Sequence, residues 1–280
     1  MTSSLLAGLG LALASAGALN WGFFAQHGAA SALPPLSLRR PLASLRLLFG
    51  ARRWLAGFLV GLGGWALYVT ALALAPLSLV QAASAGGIGL LAVLVSRDAG
   101  LAVWERRGVV VAIAGLIVLA GSLSGQGHGS HGPAWAVGAW VGVSLVAACA
   151  AGLGRSGAGL GLAAGVLYAA GDVATKAAVP GGGRLAFVPV LLVCHGLAFA
   201  ALQLGFQRGG ALATAGVATL FTNALPIAAG TTLFGEGLGS VPVLRVLAFA
   251  LTIAGATLLA RPAAAGEPAG FRPGESPGTI

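Results

Sequence analysis

Long apolar runs separated by short, arginine-containing connections are the feature of this sequence that most restricts its fold. A helix needs about 20 apolar residues to cross a hydrocarbon core roughly 30 Å thick, and only helices or closed barrels can satisfy their backbone hydrogen bonds there. The runs are continuous, so we predict an all-α polytopic membrane protein. Nine transmembrane helices are expected, at residues 4–25, 54–76, 78–96, 108–124, 134–152, 157–178, 186–206, 211–235 and 242–260.

The composition argues against several other classes of protein. The 280 residues are 58% hydrophobic and 8% charged, whereas soluble domains are about 25% charged. The net charge of +9 comes from arginines between the apolar runs, so we expect the lipid bilayer as partner and no nucleic acid. Cys149 and Cys194 lack CxxC spacing, and neither GxSxG nor HExxH occurs. We therefore expect no redox chemistry, no cofactor and no enzyme activity.

The basic residues are distributed unequally between the two sides of the predicted bundle. Lys176, Arg184 and Arg245 fall on one side. The other 12 of the 15 Lys and Arg residues lie on the opposite side, at Arg39, Arg40, Arg46, Arg52, Arg53, Arg97, Arg106, Arg107, Arg155, Arg208, Arg261 and Arg272. By the positive-inside rule this second side, here named the arginine-rich end, is cytoplasmic. We expect a multi-pass protein of the cell (plasma or inner) membrane, with its N-terminus outside and its C-terminus in the cytoplasm.

Three segments are not expected to span. Residues 27–53 mix leucines with five arginines and are typical of a cytoplasmic interfacial segment. Residues 125–133 (GQGHGSHGP starting at 125) form an outer loop, and residues 262–280 are expected to be a disordered cytoplasmic tail because they are rich in Pro, Gly and Ala.

An internal repeat divides the chain into two halves, residues 1–124 and 134–261. Residues 79–120 and 219–260 share one layout at a constant offset: an apolar helix with small residues, a short connection, and a helix that ends in AIAGLIVLA or LTIAGATLLA. Two related halves with a site between them near the membrane midplane are common among secondary transporters.

The sequence resembles the drug/metabolite transporter (DMT) superfamily, in particular its EamA-like members. The resemblance lies in ALALAPLSLVQAASAGGIGLLAVLVSRDAG followed by ERRGVVVAIAGLIVLAG, and in ATLFTNALPIAAGTTLFGEGL followed by RVLAFALTIAGATLLA. Pro226 and Gly235-Glu236 stand where the family shows a proline within the helix and a Gly-Glu at its end. The resemblance implies a secondary transporter of small molecules or ions that works by alternating access.

The chain also departs from that pattern. EamA-like proteins usually have ten helices with both termini inside, and the first half here has Val95-Ser96 in place of Gly-Glu. A nine-helix layout is similar to the NIPA-like branch, which raises a divalent cation such as magnesium as substrate. A non-transporting membrane scaffold remains a further alternative, and a homodimer is left open.

Asp172 and Lys176 are the first candidates for a substrate- or proton-binding site. Lys176 is the only lysine of the chain, and Asp172 is the only acid well inside a predicted span. Helical spacing places Gly161, Gly165, Tyr168, Asp172 and Lys176 on one face, which we expect to point into the bundle. The alternative is a structural ion pair between Asp172 and Lys176, four residues apart.

Five further residues complete the predicted site. His195 lies near the middle of the seventh helix and is either a packing residue or a proton relay, since imidazole titrates near neutral pH. Asn223 and Pro226 lie in the eighth helix, where a proline frees a backbone carbonyl beside a polar amide. Asn20 and Gln81 are expected to face the same cavity. Together with Asp172 and Lys176, His195 motivates the hypothesis of proton coupling.

Glu236 and Arg245 are predicted to pair across the connection between the last two helices, as an outer gate or a structural clamp. His128 and His131 could bind a metal only weakly, because two histidines without a carboxylate make a poor site. No metal site is therefore predicted.

Overall fold

The computed structural model describes residues 3–37, 39–84, 86–98, 100–121, 132–236 and 242–261, and every regular element among them is helical. The α-helices are α1 (Ser3–Ala30), α2 (Pro41–Gly50), α3 (Arg52–Leu74), α4 (Leu77–Ser84), α5 (Gly87–Asp98), α6 (Val103–Gly121), α7 (Ala134–Gly152), α8 (Gly157–Ala178), α9 (Phe187–Phe206), α10 (Val217–Thr232) and α11 (Pro242–Leu259). A 3-10 turn at Gly182–Ala186 precedes α9, and a π turn at Leu212–Gly216 precedes α10.

Seven helical segments of the described chain are long and apolar enough to cross a membrane. They are Ser3–Ala30, Arg52–Leu74, Leu79–Asp98, Ala134–Gly152, Gly157–Ala178, Gly182–Phe206 and Leu212–Thr232. The other two predicted spans are helical in their described parts, but α6 carries Glu105, Arg106 and Arg107 in its first turns, and the apolar part of α11 is limited to Val246–Leu259. The chain is an all-α membrane-embedded protein, and the count of nine spans stays a prediction.

Several helix boundaries differ from the predicted ones. The first helix continues past residue 25 to Ala30, and the third predicted span consists of two helices, α4 and α5. Pro76 separates α3 from α4, because proline cannot continue the hydrogen-bonding pattern of the preceding helix. Pro226, by contrast, lies within a continuous α10. The outer loop at 125–131 and the tail at 262–280, with His128 and His131, lie outside the described residues.

The non-spanning segment between α1 and α3 contains the short helix α2. Leu42, Leu45 and Phe49 of this helix are exposed, and Leu48 is buried. An interfacial helix would present such exposed apolar side chains to lipid. Residues 27–30 and 52–53 belong to α1 and α3, and the interfacial, cytoplasmic position of the segment stays a prediction.

Helix α8 is the central element of the bundle, since most of its residues are buried. It packs against α7, α9 and α10, whereas α1 packs against α3. A Cβ atom at Gly161 or Gly165 would collide with backbone atoms of Thr214 or Ala218. The prediction that the glycine-lined face of this helix meets another helix at close range is confirmed.

Helices α6 and α11 pack against each other through equivalent positions of the repeat. A Cβ atom at Gly115 would come within 2.9 Å of the Thr252 nitrogen, and one at Gly255 would come within 2.9 Å of the Ala112 Cα. Gly115 and Gly255 end the two aligned IAG triplets. Each half therefore contributes the same glycine to one helix crossing.

Candidate functional site

A cavity of about 460 Å³ lies between the two halves of the chain. Helices α1, α2, α3 and α4 line it from the first half, and α8, α9 and α10 from the second. Its wall carries seven phenylalanine, tyrosine or tryptophan side chains and a group of polar side chains. They are Phe23, Phe49, Phe58, Trp65, Tyr68, Tyr168 and Phe199, with Asn20, Gln26, Gln81, Ser84, Asp172, His195, Thr219, Thr222 and Asn223.

Six of the predicted site residues line this cavity: Asn20, Gln81, Tyr168, Asp172, His195 and Asn223. Lys176, Pro226 and Glu236 are not among the lining residues. The side chain of Arg245 lies outside the described part of the chain, so its predicted pairing with Glu236 stays a prediction. The six residues come from five helices and span positions 20 to 223, and all of them line the same cavity.

Asp172 is the centre of a buried polar cluster. Its Oδ2 accepts a hydrogen bond of 3.0 Å from Gln81 Nε2, and its Oδ1 lies 3.5 Å from His195 Nε2. The hydroxyl of Tyr68 accepts a 2.7 Å bond from the same Gln81 nitrogen and is hydrogen-bonded to Asp172 as well. Asp172 is 4% exposed. A carboxyl group this deep in the bundle depends on such partners, since burying it without them is costly.

The hydrogen bond of His195 to a backbone carbonyl indicates which of its ring nitrogens carries a hydrogen. Its Nδ1 lies 2.9 Å from the carbonyl oxygen of Leu191. A carbonyl only accepts hydrogen bonds, so Nδ1 carries a hydrogen, and the Nε2 of a neutral ring would be an acceptor. That acceptor faces the carboxyl oxygen of Asp172. A hydrogen bond between these two atoms would need one proton, carried either by Nε2 or by Oδ1.

Gly171 lets the His195 ring reach this position. A Cβ atom at Gly171 would collide with Nδ1 and Cε1 of His195. The ring also makes edge contacts with Trp65 and Tyr168, each with ring centroids 5.7 Å apart. The backbone of α8 and two aromatic rings thus fix the orientation of the imidazole toward Asp172.

A second polar group lines the cavity near α1 and α10. Asn20 donates to the Ala16 carbonyl at 2.9 Å, and Thr219 lies 3.5 Å from the Asn20 side-chain oxygen. Asn223 donates to the Thr219 carbonyl at 2.7 Å, and its Oδ1 is buried without a hydrogen-bond partner in the described part of the chain. An unsatisfied buried amide oxygen is uncommon, and this acceptor is free to bond to water or to a bound molecule.

Lys176 contacts neither Asp172 nor the cavity. Its Nζ donates to the carbonyls of Leu72 and Ala75, at 3.2 and 3.3 Å, where α3 ends. Glu236 Oε1 accepts from the backbone nitrogen of Leu77, at 2.8 Å, where α4 begins. A cation at a helix C-terminus and an anion at a helix N-terminus are both favourable. The two charges therefore hold the α3–α4 break, and the structural ion pair between Lys176 and Asp172 is not formed.

Polar side chains also connect the halves near the arginine-rich end. Gln203 donates to Gln26 Oε1 at 2.7 Å and accepts from Trp54 Nε1 at 2.9 Å. One turn further along, directly after the end of α9, Gln207 accepts a hydrogen bond from the backbone nitrogen of Leu36 at 2.8 Å. It also donates to backbone carbonyls at the end of α1 and in the segment that follows it. The cavity is therefore closed toward this end by hydrogen bonds between α1, α3 and α9.

The cavity is open sideways, between α3 and α9. These helices contact each other mainly through rings, with Phe58 and Phe199 5.6 Å apart and Trp65 and His195 5.7 Å apart. Leu62, which lies between these two contacts on α3, is 50% exposed, and Leu192, about one turn before His195 on α9, is 58% exposed. Both also line the cavity, so the cavity reaches the outer surface of the bundle beside these two residues.

The cavity lining contains few charged side chains. Asp172 is the only acidic residue among the cavity-lining residues of the described chain, and neither lysine nor arginine lines the cavity there. Within the described residues, no group of three or more His, Cys, Asp and Glu side chains is placed to hold a metal ion.

Sequence reasoning missed Tyr68 and Gly171 as parts of the site. The chain has only two tyrosines, and both lie in apolar runs, where a hydroxyl needs a partner; this signal could have indicated Tyr68. Gly171 directly precedes Asp172, but the sequence does not show that an imidazole from another helix occupies the missing Cβ position. Gln26 and Gln203 were detectable as amides within apolar runs.

Comparisons with known proteins do not place the chain in a family. No protein-family model, no curated protein and no solved structure gives a significant match. The resemblance to the DMT superfamily therefore stays a prediction.

Proposed function

We propose that the protein is a secondary transporter that moves a small molecule or ion by alternating access and couples this movement to protons. The single observation that carries the proposal is the pair formed by buried Asp172 and partly buried His195 on the wall of a cavity between the two halves, where one proton can be bound. A group that binds a proton and also faces the substrate cavity can release the proton when the substrate binds, and bind it again when the substrate leaves.

The surroundings of the pair support this proposal. Carboxyl groups inside membrane helices are rare, and they usually mark ion or proton pathways because their insertion is costly. Lys176 and Glu236, both from the second half, bond to the backbone of the first half at the α3–α4 break, and Gln203 bonds to Gln26 near the arginine-rich end. Alternating access would require such contacts between the halves to open in turn.

The test uses the full chain in proteoliposomes that enclose a pH-sensitive dye. A pH gradient is imposed, and amino acids, nucleosides, amines and metal cations are added in turn. We expect one class of solute to collapse the gradient faster than in protein-free liposomes. If none moves protons and no labelled solute enters, the transporter proposal is wrong and the scaffold alternative is favoured.

Variants assign the effect to the site. Asp172→Asn keeps the size of the side chain but removes the acid, so proton movement should be abolished while the protein stays folded. Asp98→Asn makes the same change at an exposed position outside the cavity and should transport normally. Loss of folded protein in Asp172→Asn alone would assign the carboxyl group to structure instead.

The orientation of the chain and its membrane are also part of this proposal. We propose that the arginine-rich end is cytoplasmic, with the N-terminus outside, in the cell membrane. A divalent cation is not advanced as a second candidate, because Mg²⁺ sites use clustered oxygen ligands and no observation in the described residues favours one.

A further inference from the structure

We infer that the cavity binds an amphiphilic monovalent ammonium ion, with its charged head at Asp172 and His195 and its apolar body between α3 and α9. This inference rests on the proposed function, because it names the substrate class of the same cavity.

The polar end of the cavity matches an ammonium head. The Asp172 Oδ1 and His195 Nε2 atoms are 3.5 Å apart, and the proposed function has the pair bind one proton when the cavity is empty. When this proton leaves, both atoms become acceptors, and an ammonium N–H group can take its place. The exchange is balanced, since one cation binds as one proton is released to water.

The other polar groups around Asp172 leave the ratio of one ammonium ion bound to one proton released unchanged. Tyr68 from α3 and Gln81 from α4 donate hydrogen bonds to the carboxylate in either state. On α8 itself, Tyr168 lines the cavity, and Lys176 is bound to backbone carbonyls at the end of α3. No lysine or arginine side chain of the described residues therefore competes with the ligand for Asp172.

The rest of the cavity matches an apolar body. Phe23, Phe58, Trp65 and Phe199 line it, and aromatic rings attract cations as well as apolar groups. The volume of about 460 Å³ is in the range of sites for drug-sized ligands. Because Leu62 and Leu192 line the cavity and are also exposed, an alkyl chain can extend between α3 and α9 into lipid.

The same features disfavour zwitterions and anions. An amino acid would bring a carboxylate into a cavity whose described wall has no lysine or arginine. A buried anion without a partner is strongly unfavourable. The geometry therefore favours simple amines over amino acids.

The experiment measures binding to the full chain in nanodiscs of zwitterionic lipid, with empty nanodiscs as the blank. Methylammonium, butylammonium and hexylammonium are compared by calorimetry with hexanol and hexanoate at neutral pH. We expect the dissociation constant to fall by up to about fourfold per added methylene. Hexanol should bind at least about tenfold more weakly than hexylammonium, and hexanoate should not bind. Titrations in buffers of different ionisation enthalpy should show about one proton released per bound amine.

Two glycines provide a matched pair of variants. Gly196 lines the cavity, and a Cβ atom there would contact nothing, as is also true of Gly138 on the exposed face of α7. Gly196→Leu should weaken hexylammonium binding about tenfold or more, since the added side chain occupies the space of the alkyl chain. Methylammonium binding should be unchanged, and Gly138→Leu should change neither. Gly196→Ala supplies a smaller step in the same direction.

The outcomes separate this inference from the proposed function. Equal binding of hexanoate, affinity independent of chain length, no proton release, or no effect of Gly196→Leu would each overturn the ammonium ligand. If hexylammonium binds as expected but moves neither itself nor protons across liposome membranes, the ligand assignment holds and the transport proposal fails. If another solute drives proton movement and amines do not bind, transport holds and the ligand assignment fails.

Discussion

Gly171 has no functional group, yet the position of the His195 ring depends on it. The ring lies where a Cβ atom of residue 171 would be, and Nε2 reaches Asp172 from there. Gly171 is therefore a positioning residue that acts through His195.

Gly171→Ala should separate His195 from Asp172, because the added methyl group collides with the ring. We expect a loss of about 1 to 3 kcal/mol in the free energy of unfolding and a strong reduction of substrate-driven proton movement. Proton flux in proteoliposomes and thermal unfolding measure the two effects. Gly142→Ala on α7, where a Cβ atom contacts nothing, should change neither. Normal proton flux in Gly171→Ala would contradict the positioning role.

At the scale of whole elements, the break between α3 and α4 is stabilised from the second half of the chain. Lys176 on α8 bonds to carbonyls at the end of α3, and Glu236 after α10 bonds to the first backbone nitrogen of α4. The negative charge of Glu236 also attracts the ammonium group of Lys176. The lone lysine of the chain therefore belongs to a helix junction.

Lys176→Met should lower the free energy of unfolding by about 1 to 3 kcal/mol, because a charged donor to two carbonyls is lost. Double-mutant cycles measured by denaturant unfolding assign the partner. Lys176→Met and Asp172→Asn should be additive within about 0.5 kcal/mol, whereas Lys176→Met and Glu236→Gln should be coupled by more than that. Coupling of Lys176 to Asp172 alone would instead support the ion pair considered from the sequence.

The helices could be predicted from the sequence much more reliably than the contacts of the charged residues. Apolar runs locate the seven long apolar segments, and periodicity places Asp172 on a face that points into the bundle. The partners of Asp172 include Gln81, 91 positions earlier, and His195 on the next helix. Local spacing instead suggested Lys176, four residues away, because sequence spacing cannot show which distant helices are adjacent. The short helix α2 was not predicted, since it lies in a segment of mixed leucines and arginines.

At the scale of the whole molecule, the two halves meet where α6 crosses α11. Gly115 and Gly255 occupy the same position of the repeat, and each contacts the backbone of the other helix. Such reciprocal contacts are expected when two related segments pack around a local two-fold axis.

Gly115→Leu and Gly255→Leu should therefore destabilise the protein to a similar extent, about 1 to 3 kcal/mol each, because either side chain forces the helices apart. Gly138→Leu on the exposed face of α7 is the control and should leave the midpoint of unfolding unchanged. An effect of only one of the two substitutions would show that the crossing is not reciprocal. Denaturant titration of the purified variants measures all three.

A single proton shared by Asp172 and His195, as proposed, has a consequence for the response to membrane voltage. With the proton bound, the pair carries no net charge, whichever atom holds the proton. With a monovalent cation in its place, the deprotonated carboxylate and the cation again sum to zero. A carrier that reorients only in these two forms moves no charge through the electric field, so its exchange would depend on the pH difference and be insensitive to the membrane potential.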